Sequence, residues 1–179
     1  MADDLKTYDA STKWTRLPVW SDAAIDGEGY SVRPVEGLYR LLVSGKTDVA
    51  IKTAMPRHKP LGFMAKAGGE EAVLQVARDR VLMVSAKPLG LASGWHKHGF
   101  AVSEASDAWL CLELTGENRM GVLSQGTTLD PASGSLSAMV QFAGVPCAIH
   151  QVKGGRIRIH VETGQAAYLW SWLSGCSAL

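Results

Sequence analysis

The order of strand and helix signals runs through this chain twice. Leu42-Val43-Ser44-Gly45 returns as Glu113-Leu114-Thr115-Gly116, and at the same offset Pro60 returns as Pro131. With a small change in length, Ala72-x-x-Gln75-x-Ala77 returns as Ala138-x-x-Gln141-x-Ala143. A duplicated supersecondary unit constrains the fold, because each copy buries its apolar face against its neighbour. In the first copy, residues 38–43 read as a strand that Ser44-Gly45 breaks. Residues 48–55 read as a helix that Pro56 ends. Strands over 72–77 and 81–84 follow, joined as a hairpin by Arg78-Asp79-Arg80, then a short helix over 89–96 and a short strand over 100–102. In the second copy the signals are a strand over 109–114, a helix over 117–125, strands over 138–142 and 145–152, and a cleanly alternating strand over 156–161. Thr163 is placed to cap a last helix that runs to about residue 173, with Gly175 beyond it as a stop. Strands joined by both hairpins and helical crossovers predict an α+β fold. It is a duplicated strand-helix-strand-strand-helix(-strand) unit with mixed or antiparallel sheets and helices packed on one face. The expected units are 31–104 and 105–179, preceded by an irregular N-terminal arm over 1–30.

A core of that kind is within reach of 179 residues of which 46% are hydrophobic and 20% charged. Such a chain needs no metal or disulfide to staple it. The net charge of +1 is not the concentrated positive field that phosphate neutralisation demands, so no nucleic-acid partner is expected. The densest basic stretch, Arg57-His58-Lys59, meets Pro60 at once and reads as a solvated loop. Cys111, Cys147 and Cys176 are widely spaced with no CxxC pair, which predicts reduced thiols. The acidic start Met1-Ala2-Asp3-Asp4 lacks the basic and apolar parts of a secretory signal. No apolar run reaches the ~18 residues of a membrane span. Ser177-Ala178-Leu179 is a weak echo of a peroxisomal address, and the cytoplasm is the expected compartment.

The chemistry-bearing candidates are few. Ser44-Gly45-Lys46-Thr47 ends like a phosphate-binding loop, but Arg40 stands where that loop needs its first glycine. His96 and His98 lie two apart with Lys97 between them, too few ligands for a zinc site, and read as an exposed loop pair. His150 and His160 fall on neighbouring strands and can meet across a sheet; they read as sheet-surface residues. Cys111 faces away from Leu110 and Leu112, and its nearest charge in sequence, Glu113, would raise its pKa. Glu70-Glu71 reads as a solvated pair in a Gly-rich turn. No GxSxG elbow and no GxGxxG fingerprint is present. No catalytic and no metal-binding residue is assigned on these grounds. The last helix carries aromatics on more than one face, which marks a core element or a partner surface. Tyr168, Trp170 and Trp172, with Trp14 and Trp20 of the arm, form the candidate partner interface.

Over 80–173 the residues also resemble a known family. The hairpin Leu74-Gln75-Val76-Ala77-Arg78-Asp79-Arg80-Val81-Leu82-Met83-Val84, the strand Val102-Ser103-Glu104-Ala105-Ser106-Asp107, the series Leu112-x-Leu114-Thr115-Gly116, Leu123-x-x-Gly126 and Leu129-Asp130-Pro131, and the ending Tyr168-Leu169-Trp170-Ser171-Trp172-Leu173 carry the likeness. Together they cover roughly the C-terminal three fifths of the chain. They resemble the gamma subunit of heterotetrameric sarcosine oxidase, of the folate-binding aminomethyltransferase-like fold group. The resemblance implies a subunit without catalytic groups or cofactor of its own. Its implied partners are larger alpha and beta flavoprotein subunits and a small delta subunit, which hold flavin, NAD and tetrahydrofolate. Such a complex oxidatively demethylates sarcosine and passes the one-carbon unit to tetrahydrofolate. Two other readings stay open: a stand-alone folate-binding protein, for which Asp130 is the positional candidate to hold the pterin, and a homo-oligomeric binding module.

Overall fold

The computed structural model describes residues 18–176, and Trp14 of the candidate interface lies outside them. After a single 3-10 turn at Trp20–Asp22 come strands β1 (Ile25–Gly27), β2 (Tyr30–Pro34) and β3 (Tyr39–Gly45), then helix α1 (Thr47–Ala54). Strands β4 (Pro60–Leu61), β5 (Ala72–Ala77), β6 (Arg80–Ser85), β7 (Gly94–His96) and β8 (Phe100–Glu104) complete the first half. The second half is β9 (Trp109–Thr115), α2 (Arg119–Gly126), β10 (Met139–Phe142), β11 (Val145–Gln151), β12 (Ile157–Glu162) and α3 (Thr163–Ser174). No helix among the described residues is long and apolar enough to cross a membrane.

The strands form two six-stranded sheets, ordered β4-β5-β6-β3-β8-β7 and β10-β11-β12-β9-β2-β1. All pairings are antiparallel except β4 with β5. This is the expected α+β class, and strand alternation sets its layers. On β3, Leu41 and Val43 join Ala50, Ile51 and Met55 in one apolar cluster with α1. Their neighbour Leu42 belongs to a different cluster, shared with Leu74, Leu82, Val84, Cys111 and Ala148 from both sheets. On β9 and β12, Leu112, Leu114, Ile157, Ile159 and Val161 face α2 and α3. Each sheet therefore carries its helices on its outer face, and the two sheets meet along their inner faces. Helix α3 is held through Ala166, Leu169 and Leu173, spaced along one stripe. Burying each of its two leucines contributes roughly 1.5–3 kcal/mol.

The two sheets match position for position, with β3 answering β9. At the end of each of these strands stands a glycine that no other residue can replace without movement. Gly45 has φ 95°, and a Cβ there would lie 2.6 Å from the carbonyl oxygen of Gly99. Gly116 has φ 102°, and its Cβ would lie 2.3 Å from that of Gly29. In each copy that carbonyl then receives an amide at the start of the helix, from Lys46 (2.9 Å) or Asn118 (2.8 Å). By sheet position β5 answers β11, not β10. The likeness of residues 72–77 to 138–143 therefore aligns non-equivalent strands.

Other expectations shift as well. Among the described residues, strand pairing begins at Ile25, inside the expected arm. From Ile25, β1 and β2 make a hairpin that pairs with β9 and does for the second sheet what β7–β8 does for the first. Three-residue alternation around a turn is too short to register as a period, and its partner strand is remote in sequence. Tyr30 secures this hairpin, its hydroxyl lying 2.9 Å from the Leu173 carbonyl oxygen at the end of α3. The first half also reaches into the second: Phe63 and Met64, between β4 and β5, are buried in the α2–α3 core. Residues 89–96 are not helical. Positive φ at Gly90 and Gly94 favours open chain, and 94–96 pair as β7. Thr163 does not cap α3 through its side chain; its hydroxyl donates to the Asp107 carbonyl at 2.8 Å, and Glu162 precedes the helix.

Candidate functional site

Of the buried polar and charged residues among those described, Arg40, His150, Arg158 and His160 all occupy the seam between the sheets; Ser85 is the remaining one. Alternation puts them there. On β12, Ile157, Ile159 and Val161 take the helix side, so Arg158 and His160 take the seam side. On β11 the same rule turns His150 inward beside Ala148. His150 and His160 do meet across the sheet, as a diagonal pair with stacked rings 5.3 Å apart and 15° from parallel. They are not surface residues: both are 0% exposed, because the second sheet covers the face they share. Neither nitrogen of His150 has a hydrogen-bond partner, nor has Nδ1 of His160. His160 Nε2 lies 3.9 Å from Cys111 Sγ.

Burial and the Arg158 charge push His150 down to about 3. His160 is driven well below its usual value by burial, then by His150, Arg40 and Arg158. Both rings are therefore neutral in the fold. Cys111 is pushed up to about 12 by burial, even though Arg158 and Arg40 pull the other way. The sequence neighbour Glu113 is thus not its main electrostatic influence, yet the thiol stays protonated and unreactive. Cys147 is likewise raised to about 12 by burial.

Farther along the seam, charge is matched. Arg158 donates from Nε to Glu113 at 3.3 Å and from Nη1 to the Glu70 carbonyl oxygen at 3.1 Å, and it also pairs with the Glu70 carboxylate. Arg156 completes the group, donating to Glu113 at 2.8 Å and to Glu70 at 2.7 Å. Glu70 is held below its ordinary carboxylate range, chiefly by the Arg156 hydrogen bond. Glu70 and Glu71 are therefore not a freely solvated pair. Glu71 accepts from Ser85 Oγ at 3.2 Å and lies 3.6 Å from His58 Nε2. Arg57, His58, Lys59 and Lys66 line a cleft with these acids, so the basic stretch is more than a solvated loop.

The remaining candidates separate. His96 stacks on Phe100 with centroids 4.4 Å apart, while His98 is exposed in the turn. No group of three His, Cys, Asp or Glu among the described residues is placed to hold a metal ion. Asp130 is exposed, and its carboxylate accepts from the Ala132 amide (2.9 Å) and the Ser133 hydroxyl (2.8 Å), which closes its own turn. Of the candidate interface, Trp20 meets Trp170 edge to face at 5.6 Å, and Trp172 meets Phe142 at 5.3 Å. These three are half-buried against the α3 core. Tyr168 stands out, 54% exposed. Sequence reasoning missed Arg40 and Arg158 as seam residues; the only signals were the lone charge within residues 38–43 and the arginines that alternate with isoleucines over 156–159.

No family model matches the chain, and no curated protein sequence matches it. Among solved structures, it is similar to a chain of the heterotetrameric sarcosine oxidase from Corynebacterium sp. U-96, determined in complex with pyrrole 2-carboxylate. The TM-score is 0.62 at 18% sequence identity, over 87% of this chain and 91% of that one. The two chains share a fold nearly end to end.

Proposed function

We propose that this chain is a gamma-type, non-catalytic subunit of a heterotetrameric sarcosine oxidase-like complex. The complex oxidatively demethylates sarcosine or a related methylated amine and passes the one-carbon unit to tetrahydrofolate. Larger flavoprotein alpha and beta subunits and a small delta subunit are the partners, and flavin, NAD and tetrahydrofolate belong to them. One observation carries this reading: the fold matches a chain of such an oxidase across almost the full length of both. The sequence resemblance through the last helix points the same way. The chemistry of the seam is compatible with it, since the raised Cys111 thiol and the neutral histidines are enclosed between sheets. The exposed Tyr168 face of α3 is the candidate docking surface.

The test is capture of the tagged chain from its native host, followed by an absorption spectrum of the eluate. A yellow complex containing larger chains is the expected result. A colourless chain eluting alone overturns the reading; titration with tetrahydrofolate then separates a folate-binding protein from a self-associating module.

A further inference from the structure

At one end the seam opens to solvent through a cleft of about 500 Å³, with Trp20, Leu38, Tyr39, Trp109 and Leu110 in its walls and Arg40 among its lining residues. Arg40 is only 5% exposed. Its Nη1 donates to the carbonyl oxygens of Leu38 at 3.3 Å and Ser106 at 3.1 Å, while its Nε has no partner. Arg158, at the far end of the seam, is matched by two glutamates. Arg40 has no ion pair among the described residues. The groups that act on it from within the seam are the protonated thiol of Cys111 and a second cation, Arg158. A buried cation without a counter-charge is costly, and an anion in the adjoining cleft relieves that cost.

We propose that this cleft is a binding site for a small monocarboxylate with an aromatic or apolar body, the carboxylate on the Arg40 guanidinium and the body against the Trp20 and Trp109 walls. A guanidinium offers a planar fork of donors that fits a carboxylate, and apolar walls reward removal of a ring from water. Glu36 and Asp107 also line the cleft and are exposed. Their charge opposes phosphates and polyanions, so a single carboxylate on an apolar body is the class that fits. The site goes beyond the subunit reading and does not depend on it.

The probes are benzoate and its neutral counterpart benzamide, titrated into the full chain and followed by tryptophan fluorescence and by ligand-observed NMR. Benzoate is expected to bind about 10- to 100-fold more tightly than benzamide, the ratio that hydrogen bonds to a charged group supply. Arg40→Gln is expected to erase that preference. If Arg40→Gln does not fold, Trp20→Ala, near the surface, is expected to weaken both ligands by roughly two- to tenfold. Equal affinities for benzoate and benzamide in the native chain overturn the proposal, as does no response to either at millimolar concentration. Undiminished binding in Trp20→Ala also overturns it, because it places the ligand elsewhere. None of these outcomes bears on whether the chain co-purifies with flavoprotein subunits.

Discussion

The two interiors of this protein are built from alternate residues of the same strands, and they differ in kind. The outer interiors, between each sheet and its helices, are apolar: Ile157, Ile159 and Val161 of β12 bury nothing but hydrocarbon there. The seam receives Arg158 and His160 from the same strand, along with Arg40 and His150. An outer core is held by burial and shape, which tolerate volume-conserving exchange. The seam is held by ionisation states as well. A matched Arg–Glu group must stay charged, and a histidine pair must stay neutral. The fold is therefore robust in its outer cores and conditional in its seam.

The most severe test of this contrast is Arg158→Ala. Truncating one partner of a buried ion pair typically costs about 3–5 kcal/mol. Here the lower end is expected, about 3 kcal/mol by denaturant unfolding, because Arg156 still holds Glu113 and Glu70. Ile159→Val, one residue along and on the other face, is expected to cost about 0.5–1.5 kcal/mol. Equal costs would mean the seam is no more specialised than the outer core.

The equivalence of the two sheets is tested at the matched glycines. Gly116→Ala and Gly45→Ala each place a methyl against a backbone carbonyl at positive φ, and each is expected to cost roughly 1–3 kcal/mol. A free substitution at either site would break the correspondence between β3 and β9.

Acid acts on the seam alone before it reaches the carboxylates. The folded-state pKa values of His150 and His160 lie below the unfolded value of 6.5. The unfolded chain therefore binds more protons as pH falls below 6.5, and stability declines with it. The slope is at most about 1.4 kcal/mol per pH unit for each histidine. For His150 the decline continues to about pH 3. Stability contributed by Glu70, whose folded pKa is lowered, is lost only below its own unfolded value of 4.5. Unfolding midpoints between pH 5 and 7, both set by about the histidine value, isolate the pair, and His160→Phe is expected to flatten the profile. A flat native profile would contradict the buried neutral pair.

The smallest effect belongs to the exposed edge of the outer layer. Tyr168→Ala is expected to change stability by less than about 0.5 kcal/mol, since the side chain is largely in solvent. It should weaken capture of partner chains if that face docks. Trp172→Ala confounds the two, because Trp172 also packs on Phe142.

Residue order alone sets the local grammar. Apolar alternation, breakers such as Ser44-Gly45 and Pro56, and the glycine that ends β9 marked most strands and all three α-helices within a few residues. Those signals depend on neighbours along the chain, where steric rules and period are set. The duplication was legible because Gly45 and Gly116 are both required by the same close approach. Which polar residues are buried follows from how the sheets stack. Arg-Ile-Arg-Ile-His-Val reads as a half-solvated strand until a second sheet lies on its polar face. Period two separates the faces of a strand but says nothing about what covers each one. Pairing of β1–β2 with β9, the crossing of Phe63 into the far core, and the meeting of Arg40 with a cleft walled by Trp20 and Trp109 likewise join residues distant in sequence. Such contacts follow from how two sheets stack, a property of the whole chain that no local pattern encodes.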